Sequence, residues 1–239
     1  MFIENLKKSR CVVAMTGAGV SVGSGIPDFR SSNGLFSMIS QQTFELDFFT
    51  SQPAEYYKIA KQYIHTLADK KPNITHEMLA ELENKGFLNA IITQNIDRLH
   101  QKAGSRNVIE FHGNVASFHC VQCFNPYVRK QVDSKIDSVG TPKCDKCGSL
   151  IRPDIVFYGD MIPEDVLNKS GELCGKCDLF IVLGTSLVVN PAAALTETAH
   201  YNGAKVIIIT KGITPYDKIA LHKFEVELEE FSRGVLDNL

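Results

Sequence analysis

Six of the seven cysteines in this 239-residue chain occur as three Cys-x-x-Cys pairs. Cys120 and Cys123 are followed, after a polar stretch, by Cys144 and Cys147, and this spacing is typical of zinc ribbons. Four thiolates complete a tetrahedral site and leave no open position, so the zinc is predicted to be structural rather than catalytic. A redox role and a free-thiol surface are the less favoured alternatives.

The third pair, Cys174 and Cys177, lies outside that stretch and directly precedes the apolar run DLFIVLG. Free cysteine behaves as a small buried hydrophobe. We therefore interpret Cys177 as a core residue and Cys174 as a helix-end residue, with a redox-sensitive pair as the alternative. The sequence thus predicts one zinc ion per chain.

Polar residues with catalytic potential follow two of the apolar runs. Gln94, Asn95 and Asp97 come directly after FLNAIIT, and His112 follows NVIEF. The carboxyl ends of parallel strands form the ligand-binding edge of open α/β sheets, and histidine titrates near neutrality, which suits a general base. A capped turn and a purely structural histidine are the alternatives. The coincidence at neighbouring strand ends favours a catalytic role for His112.

A glycine-rich turn, TGAGVSVGSGIPDFR, follows the first apolar run at residues 16–30. Backbone amides exposed after a strand suit phosphate groups. The common dinucleotide fingerprint requires glycine where this chain has Val22, and it requires an acidic residue about 20 positions later, which is missing here. We therefore predict a phosphate site of non-standard design, with a simple tight turn as the alternative. Asp28 and Arg30 either edge a pocket or form a surface salt bridge.

The elements that must position these residues alternate between strands and helices. Apolar runs without polar alternation indicate strands of a parallel sheet that is covered on both faces. Thr75 is predicted to cap a helix that Gly86 ends, and Asn190 with Pro191 is predicted to begin another. The pattern predicts an α/β fold with a Rossmann-like, doubly wound parallel sheet. The predicted strands are residues 11–15, 87–93, 107–111, 178–184, 205–210 and 224–228, and residues 53–68 have helical spacing.

Two insertions interrupt this alternation. Residues 28–71 and 117–150 are predicted to form a small domain, made of a helical insert and a zinc ribbon. Residues 1–27, 72–116 and 151–239 are predicted to form the Rossmann-like domain.

Composition narrows the class of protein. A hydrophobic content of 44% suffices for a sizeable core. A net charge of −2 and a pI near 6.4 give no electrostatic reason to expect a nucleic-acid or anionic-membrane partner. No apolar run approaches the length of a bilayer span, and the start of the chain does not resemble a signal peptide. Paired cysteines suit a reducing compartment, so we expect a cytoplasmic protein.

Taken together in chain order, these residues resemble the sirtuins, a family of NAD-dependent protein-lysine deacylases. The resemblance runs nearly end to end, and the compact length is similar to that of the small bacterial and archaeal members. It implies that NAD binds in a crevice between the two domains and that the acyl group of an acyl-lysine passes to ADP-ribose, with release of nicotinamide and O-acyl-ADP-ribose. The six matching motifs are residues 17–30, 93–100, 112–113, the four-cysteine insert, RPDIVFYGD at 152–160 and GTSLVVNPAA at 184–193.

The resemblance also implies roles for single residues. His112 would be the general base, while Asn95 and Asp97 would engage the ribose and the carboxamide. A substrate protein or peptide would bind as an added strand between two edges, formed by Val156, Phe157, Tyr158 and Gly159 and by Val189, Asn190 and Pro191. The other residues implied to bind NAD are Gly17, Ala18, Gly19, Ser21, Val22, Pro27, Asp28, Phe29, Arg30, Gln94, Ile96, Gly184, Thr185, Ser186, Thr210 and Leu228.

Two departures from the family pattern bear on specificity. Thr210 stands where the family usually has asparagine, so we expect an altered contact with the adenosine ribose. Members that prefer negatively charged acyl groups carry Tyr-x-x-Arg, whereas Tyr57 is followed here by Ala60. We therefore expect a preference for acetyl and other uncharged acyl groups.

Two other functions stay open at this point. A mono-ADP-ribosyltransferase could use the same nicotinamide-cleaving site, but that reaction does not need the base that His112 would supply. A zinc-ribbon nucleic-acid-binding protein would need a concentrated basic patch in the insert. There, Asp133, Asp137 and Asp145 are interspersed among the lysines and arginines.

Overall fold

The structure, a computed structural model, describes residues 1–29, 31 and 33–239. Within these residues the strands are β1 (Val12–Thr16), β2 (Ala90–Thr93), β3 (Val108–Glu110), β4 (Gly113–Cys120), β5 (Pro126–Val128), β6 (Ile151–Ile155), β7 (Leu179–Leu183), β8 (Lys205–Ile209) and β9 (Ala220–Phe224).

The helices connect and cover these strands. They are α1 (Phe2–Lys8), α2 (Leu35–Met38), α3 (Leu46–Ser51), α4 (Pro53–Ile59), α5 (Ile74–Asn84), α6 (Leu99–Lys102), α7 (Arg129–Val139), α8 (Glu164–Lys176), α9 (Ala194–Tyr201) and α10 (Leu228–Leu236). Shorter 3₁₀ segments are Ala18–Ser24, Gln41–Phe44, His65–Asp69 and Asp217–Ile219, and Ala60–Ile64 is wound as a π-helix.

A six-stranded parallel sheet has the order β3-β2-β1-β7-β8-β9. Every residue of β1 and β7 is buried. Alternate residues of β1 enter different apolar clusters, with Val13 and Met15 on the α8–α9 side and Val12 and Ala14 on the α1, α5 and α10 side. Because both faces are covered by helices, the central strands are apolar without alternation. The predicted α/β class with a doubly wound parallel sheet is confirmed.

A second, antiparallel sheet has the order β5-β4-β6. Its strands alternate between buried and more exposed residues, as expected for a sheet with one covered face. A third apolar cluster lies against it, where Phe49 and Tyr57 from α3 and α4 join Phe118 of β4. The division of the chain into two domains at the bounds given above stays a prediction.

Three sequence-based assignments of element ends were wrong. The last strand ends at Phe224, and Leu228 already begins α10, because the alternation of acidic and apolar residues in FEVEL also suits a turn into an amphipathic helix. Asn73, not Thr75, caps α5, since its Oδ1 accepts the Thr75 backbone N–H at 2.9 Å. Helix α9 begins at Ala194, after a turn that contains Asn190 and Pro191.

The helical spacing predicted for residues 53–68 is confirmed, although its winding changes from α to π to 3₁₀ along the segment. Across the described part of the chain, no helix combines the length and the apolarity that a bilayer span requires.

Candidate active site

A cavity of about 820 Å³ opens at the carboxyl ends of the parallel strands. Residues that directly follow β1, β2, β3, β7, β8 and β9 all contribute to its wall, together with the loop after β6. This is where an open α/β sheet binds ligands, and the volume is in the range of small-molecule sites.

The glycine-rich turn forms one wall, and its glycines are required by close packing against a neighbouring loop. A Cβ on Gly17 would lie 2.6 Å from Thr185 Cβ, and one on Gly19 would lie 2.8 Å from Gly184 Cα. The Gly19 N–H donates to the Gly184 carbonyl at 2.8 Å. The turn after β1 and the turn after β7 are thus joined directly, with Ala18, Gly19 and Ser186 exposed to the cavity.

The polar residues after β2 are fixed by hydrogen bonds to this turn. Asn95 Nδ2 donates to the Gly17 carbonyl at 3.0 Å and to Ser21 Oγ at 3.1 Å. Gln94 Nε2 donates to Thr185 Oγ1 at 3.1 Å. Both amide side chains line the cavity in orientations set by three strand ends, which is the preorganisation that a binding site needs.

Asp97, which the resemblance implies engages the ribose and the carboxamide, is held by two hydrogen bonds. It is buried, its Oδ2 accepts the Ser21 hydroxyl at 2.7 Å, and its Oδ1 accepts the Leu99 backbone N–H at 2.9 Å. Burial raises the pKa of Asp97, and the hydrogen bonds from Leu99 and Ser21 oppose part of that rise. Asp97 lies behind the cavity wall and orients Ser21, which in turn contacts Asn95.

His112 lines the same cavity, and one hydrogen bond decides its tautomer. Its Nδ1 lies 3.1 Å from the Gln94 carbonyl oxygen, which can only accept, so Nδ1 carries the proton. In the neutral ring, Nε2 then has the free lone pair. Burial lowers the pKa of His112, and the hydrogen bond to Gln94 partly opposes this. The ring is therefore neutral at pH 7 and able to accept a proton at Nε2.

Most residues singled out in the sequence meet around the cavity. Ser21, Pro27 and Asp97 do not line it, and Arg30 lies outside the described residues. Those that line it are Gly17, Ala18, Gly19, Val22, Asp28, Phe29, Gln94, Asn95, Ile96, His112, Val156, Phe157, Tyr158, Gly159, Gly184, Thr185, Ser186, Val189, Asn190, Pro191, Thr210 and Leu228.

Sequence reasoning missed several lining residues. Glu227 and Glu229 reach the cavity from the start of α10, and Lys211 forms an ion pair with Glu227 there. Phe44 comes from the helical insert, and Asn73 is the cap of α5. An Asn directly before a helical run is a capping signal that could have identified Asn73.

The four cysteines of the first two pairs meet at one end of the antiparallel sheet. Their sulfurs all lie within 4.8 Å of one another, with Cys120 to Cys147 at 3.4 Å and Cys123 to Cys144 at 3.6 Å. Tetrahedral zinc with Zn–S bonds of about 2.3 Å places sulfurs about 3.8 Å apart, so the cluster fits Zn²⁺ closely. The Tyr127 hydroxyl donates to the Cys144 sulfur at 3.2 Å and lowers the pKa of that thiol to about 6, which favours the thiolate that zinc binds.

Comparison with known proteins decides the family. The model of the Sir2 family matches residues 17–191. The chain is 48% identical to an NAD-dependent protein deacetylase of Thermotoga maritima over 99% of this chain and 96% of that protein. It belongs to the Sir2 family. An NAD-dependent protein deacetylase of Pyrobaculum aerophilum is 42% identical over 98% of this chain and 92% of that one.

Solved structures of Sir2 proteins agree with this assignment. A Sir2 chain in complex with a p53 peptide and NAD⁺ superimposes with a TM-score of 0.95, at 47% identity over 99% of this chain and 96% of that one. A Sir2 chain bound to an acetylated peptide gives a TM-score of 0.94 at 46% identity, over the same shares of the two chains. The sequence-based family resemblance is confirmed.

Proposed function

We propose that this chain is an NAD-dependent protein-lysine deacetylase that holds one structural zinc ion. The observation that carries the proposal is His112: a neutral imidazole whose tautomer is fixed and which lines a cavity at the ligand-binding edge of the sheet. Homologues that match almost the whole chain carry this activity. Transfer of the acyl group to the ADP-ribose of NAD consumes one water molecule, and the products are nicotinamide, the free lysine and O-acyl-ADP-ribose.

The chain's own residues suit this chemistry. Nicotinamide departure builds positive charge on the ribose, so dipoles held in fixed positions and exclusion of water favour it. Asn95 is held by two strand-end contacts, and Phe29 contributes an apolar wall. His112 Nε2 takes the proton of a ribose hydroxyl as that oxygen attacks the acyl carbon, while Gln94 holds the imidazole through its carbonyl.

The substrate peptide is proposed to pair as a strand with the loop after β6. Tyr158 is not available for that pairing, since its N–H donates to Phe44 O at 2.7 Å and its carbonyl accepts from Leu46 N at 3.0 Å. Within the described part of the chain, the backbone groups of Gly159 and the carbonyl of Val156 have no such partner. In this proposal the substrate strand pairs with the backbone of Gly159 and the carbonyl of Val156, and its other edge faces Val189. This mode of binding is β-augmentation.

The experiment incubates the chain with NAD and an acetyl-lysine peptide and measures both the nicotinamide released from NAD and the O-acyl-ADP-ribose formed. His112→Ala is expected to lower acyl transfer by roughly 100-fold or more, the usual contribution of a positioned base. His222→Ala is the matched control, because His222 lies on edge strand β9 and does not line the cavity. Undiminished formation of O-acyl-ADP-ribose by His112→Ala would refute the assigned base, and labelled ADP-ribose found on protein instead of O-acyl-ADP-ribose would indicate the transferase.

The finer proposal concerns the acyl group, for which the described part of the cavity wall offers no free cation. Tyr57 is buried and donates its hydroxyl to the Ile151 carbonyl at 2.5 Å, and Ala60 is buried in the core. Among the described residues that line the cavity, Lys211 is the sole lysine or arginine, and Glu227 neutralises it. A buried succinyl carboxylate would lack a partner. We expect kcat/KM on an acetyl peptide to exceed that on the matched succinyl peptide at least about ten-fold, roughly 1.4 kcal/mol. A faster succinyl reaction would contradict it.

A further inference from the structure

Two histidines that the proposed chemistry does not use are buried side by side beneath the site. His76 of α5 and His100 of α6 are 0% and 1% exposed, and their ring centroids lie 4.8 Å apart. Among the described residues, His76 Nε2 and His100 Nδ1 are both buried without a hydrogen-bond partner. Leaving a buried polar atom unpaired costs about 1–3 kcal/mol, and two such atoms on adjacent rings call for a common explanation.

The other nitrogen of His100 connects to the candidate active site. Its Nε2 lies 2.9 Å from Thr16 Oγ1, which in turn lies 2.9 Å from Thr93 Oγ1. Thr93 Oγ1 accepts the backbone N–H of Asn95 at 3.1 Å. A buried chain of hydrogen bonds thus runs from His100 across the ends of β1 and β2 to Asn95.

The other nitrogen of His76 connects to the glycine-rich turn. Its Nδ1 lies 3.3 Å from Asn73 N and 3.1 Å from Asn73 Oδ1. Asn73 Nδ2 donates to the Val20 carbonyl at 2.8 Å and to Ser24 Oγ at 3.0 Å. A second chain therefore runs from His76 to the turn that lines the cavity.

Both rings are neutral at pH 7, because burial lowers the pKa of His76 to about 4 and that of His100 well below its usual value. A neutral imidazole presents one N–H and one lone pair. The Asn73 backbone N–H donates to His76 Nδ1, so the proton of His76 is on Nε2. Thr16 Oγ1 donates to Thr93 Oγ1 and therefore accepts from His100 Nε2, so His100 Nδ1 has the free lone pair. The two unpaired nitrogens are thus one donor and one acceptor.

We propose that one water molecule bridges His76 Nε2 and His100 Nδ1, accepting from the first and donating to the second, and that this link positions Asn95 against the glycine-rich turn. It closes the two chains into one buried network that joins both sides of the cavity. His76 and His100 are positioning residues that act through Asn73, Thr16 and Thr93 and do not touch substrate.

The direct test is NMR of the whole protein with ¹⁵N-labelled histidine rings. Both rings are expected to be neutral at pH 7, with a slowly exchanging N–H at His76 Nε2 that shows a cross-relaxation peak to a long-lived water. A charged ring, a rapidly exchanging N–H at His76 Nε2, or a coupling between the two nitrogens without such a water would overturn the proposal. This test needs no enzymatic activity.

The functional test uses variants that remove only the link. His76→Asn keeps a polar atom near Nδ1, and His100→Gln keeps one near Nε2, so each preserves its own chain and loses the facing nitrogen. This test rests on the proposed function. Each variant is expected to lower kcat roughly ten-fold, because Asn95 is misplaced, and to change the peptide KM less than about two-fold.

The double variant separates a shared link from two independent effects. If the histidines share one bridging water, the double variant loses no more kcat or thermal stability than either single one. Multiplied kcat losses and added stability losses would refute the link. If the unmodified chain has no deacetylase activity, only the proposed function is refuted. The NMR result and the melting temperatures of the single and double variants still test the link between the two histidines.

Discussion

The same Cys-x-x-Cys motif occurs in two regions with opposite surroundings. At the antiparallel sheet, Cys123 and Cys147 are exposed, and with Cys120 and Cys144 they form one cluster of sulfurs. At the junction of α8 and β7, Cys174 and Cys177 are buried in an apolar cluster, and burial raises the pKa of both thiols to about 12.

The difference shows that spacing within a pair does not determine thiol chemistry. Cys174 belongs to the last turn of α8 and Cys177 is its cap, so their partners are the hydrophobic residues that cover the parallel sheet. The first two pairs instead lie on tight turns at one end of a small sheet, where they meet each other. The small sheet combines apolar burial on one face with its ligand cluster, whereas the large sheet has apolar burial over both faces.

Removal of zinc is expected to have the largest effect and tests whether the two sheets are stabilised differently. Structural zinc contributes apparent binding energies of about 10–16 kcal/mol in isolated fingers, so its loss is expected to unfold the antiparallel sheet and abolish activity. Hydrogen exchange after chelation should show lost protection in β4, β5 and β6 and retained protection in β1, β7 and β8. Cys144→Ser should reproduce the result.

The metal content supplies the control. Elemental analysis is expected to give one zinc per chain in the unmodified protein. Two equivalents, or equal loss of protection in both sheets after chelation, would contradict the separate roles of the two regions.

The features that could be predicted from the sequence are those that depend on residues close together in the chain. Zinc-ribbon ligands are recognisable because two short turns must each supply two thiolates. The central strands are recognisable because a sheet covered on both faces excludes polar residues. Asn95 and His112 were identified because they follow strands whose ends share one edge of the sheet.

The missed features depend on contacts between distant segments. The direction in which Asp97 faces is set by Ser21, which is 76 residues away in sequence, and no local pattern encodes that meeting. The acidic start of α10 reaches the cavity because the turn after β9 folds back over Gly23, where a Cβ would collide with Glu229. Alternation in FEVEL resembled a strand because a short run cannot distinguish a strand end from a helix start.

Lowering the pH is expected to affect buried histidines of the two regions differently. Burial alone lowers the pKa of His76, on the large-sheet side, to about 4 from 6.5. Burial also lowers the pKa of His65, on the small-sheet side, but a hydrogen bond with Asp133 opposes it. Because the folded-state pKa of His76 lies below the unfolded value, the unfolded chain binds the proton first. Stability is then complete above about pH 6.5 and falls as pH drops toward 4, by about 3 kcal/mol from His76.

Urea unfolding at pH 7.5, 5.5 and 4.5 measures this loss. His76→Gln is expected to show a shallower decline in the free energy of unfolding than the unmodified chain, although it starts from a lower value. Equal slopes in the two proteins would mean that the acid sensitivity originates elsewhere.

The smallest expected effect concerns the third cysteine pair. Cys174→Ser places a hydroxyl in an apolar cluster where the thiol is fully buried, which should lower the free energy of unfolding by about 1–3 kcal/mol. Zinc content and kcat should stay unchanged, because neither the metal cluster nor the cavity includes this residue. A thiol reagent should leave Cys174 and Cys177 unmodified in the folded chain. Loss of zinc in Cys174→Ser, or rapid labelling of Cys174 and Cys177 in the unmodified chain, would instead indicate that the third pair shares the metal binding or thiol reactivity of the first two pairs.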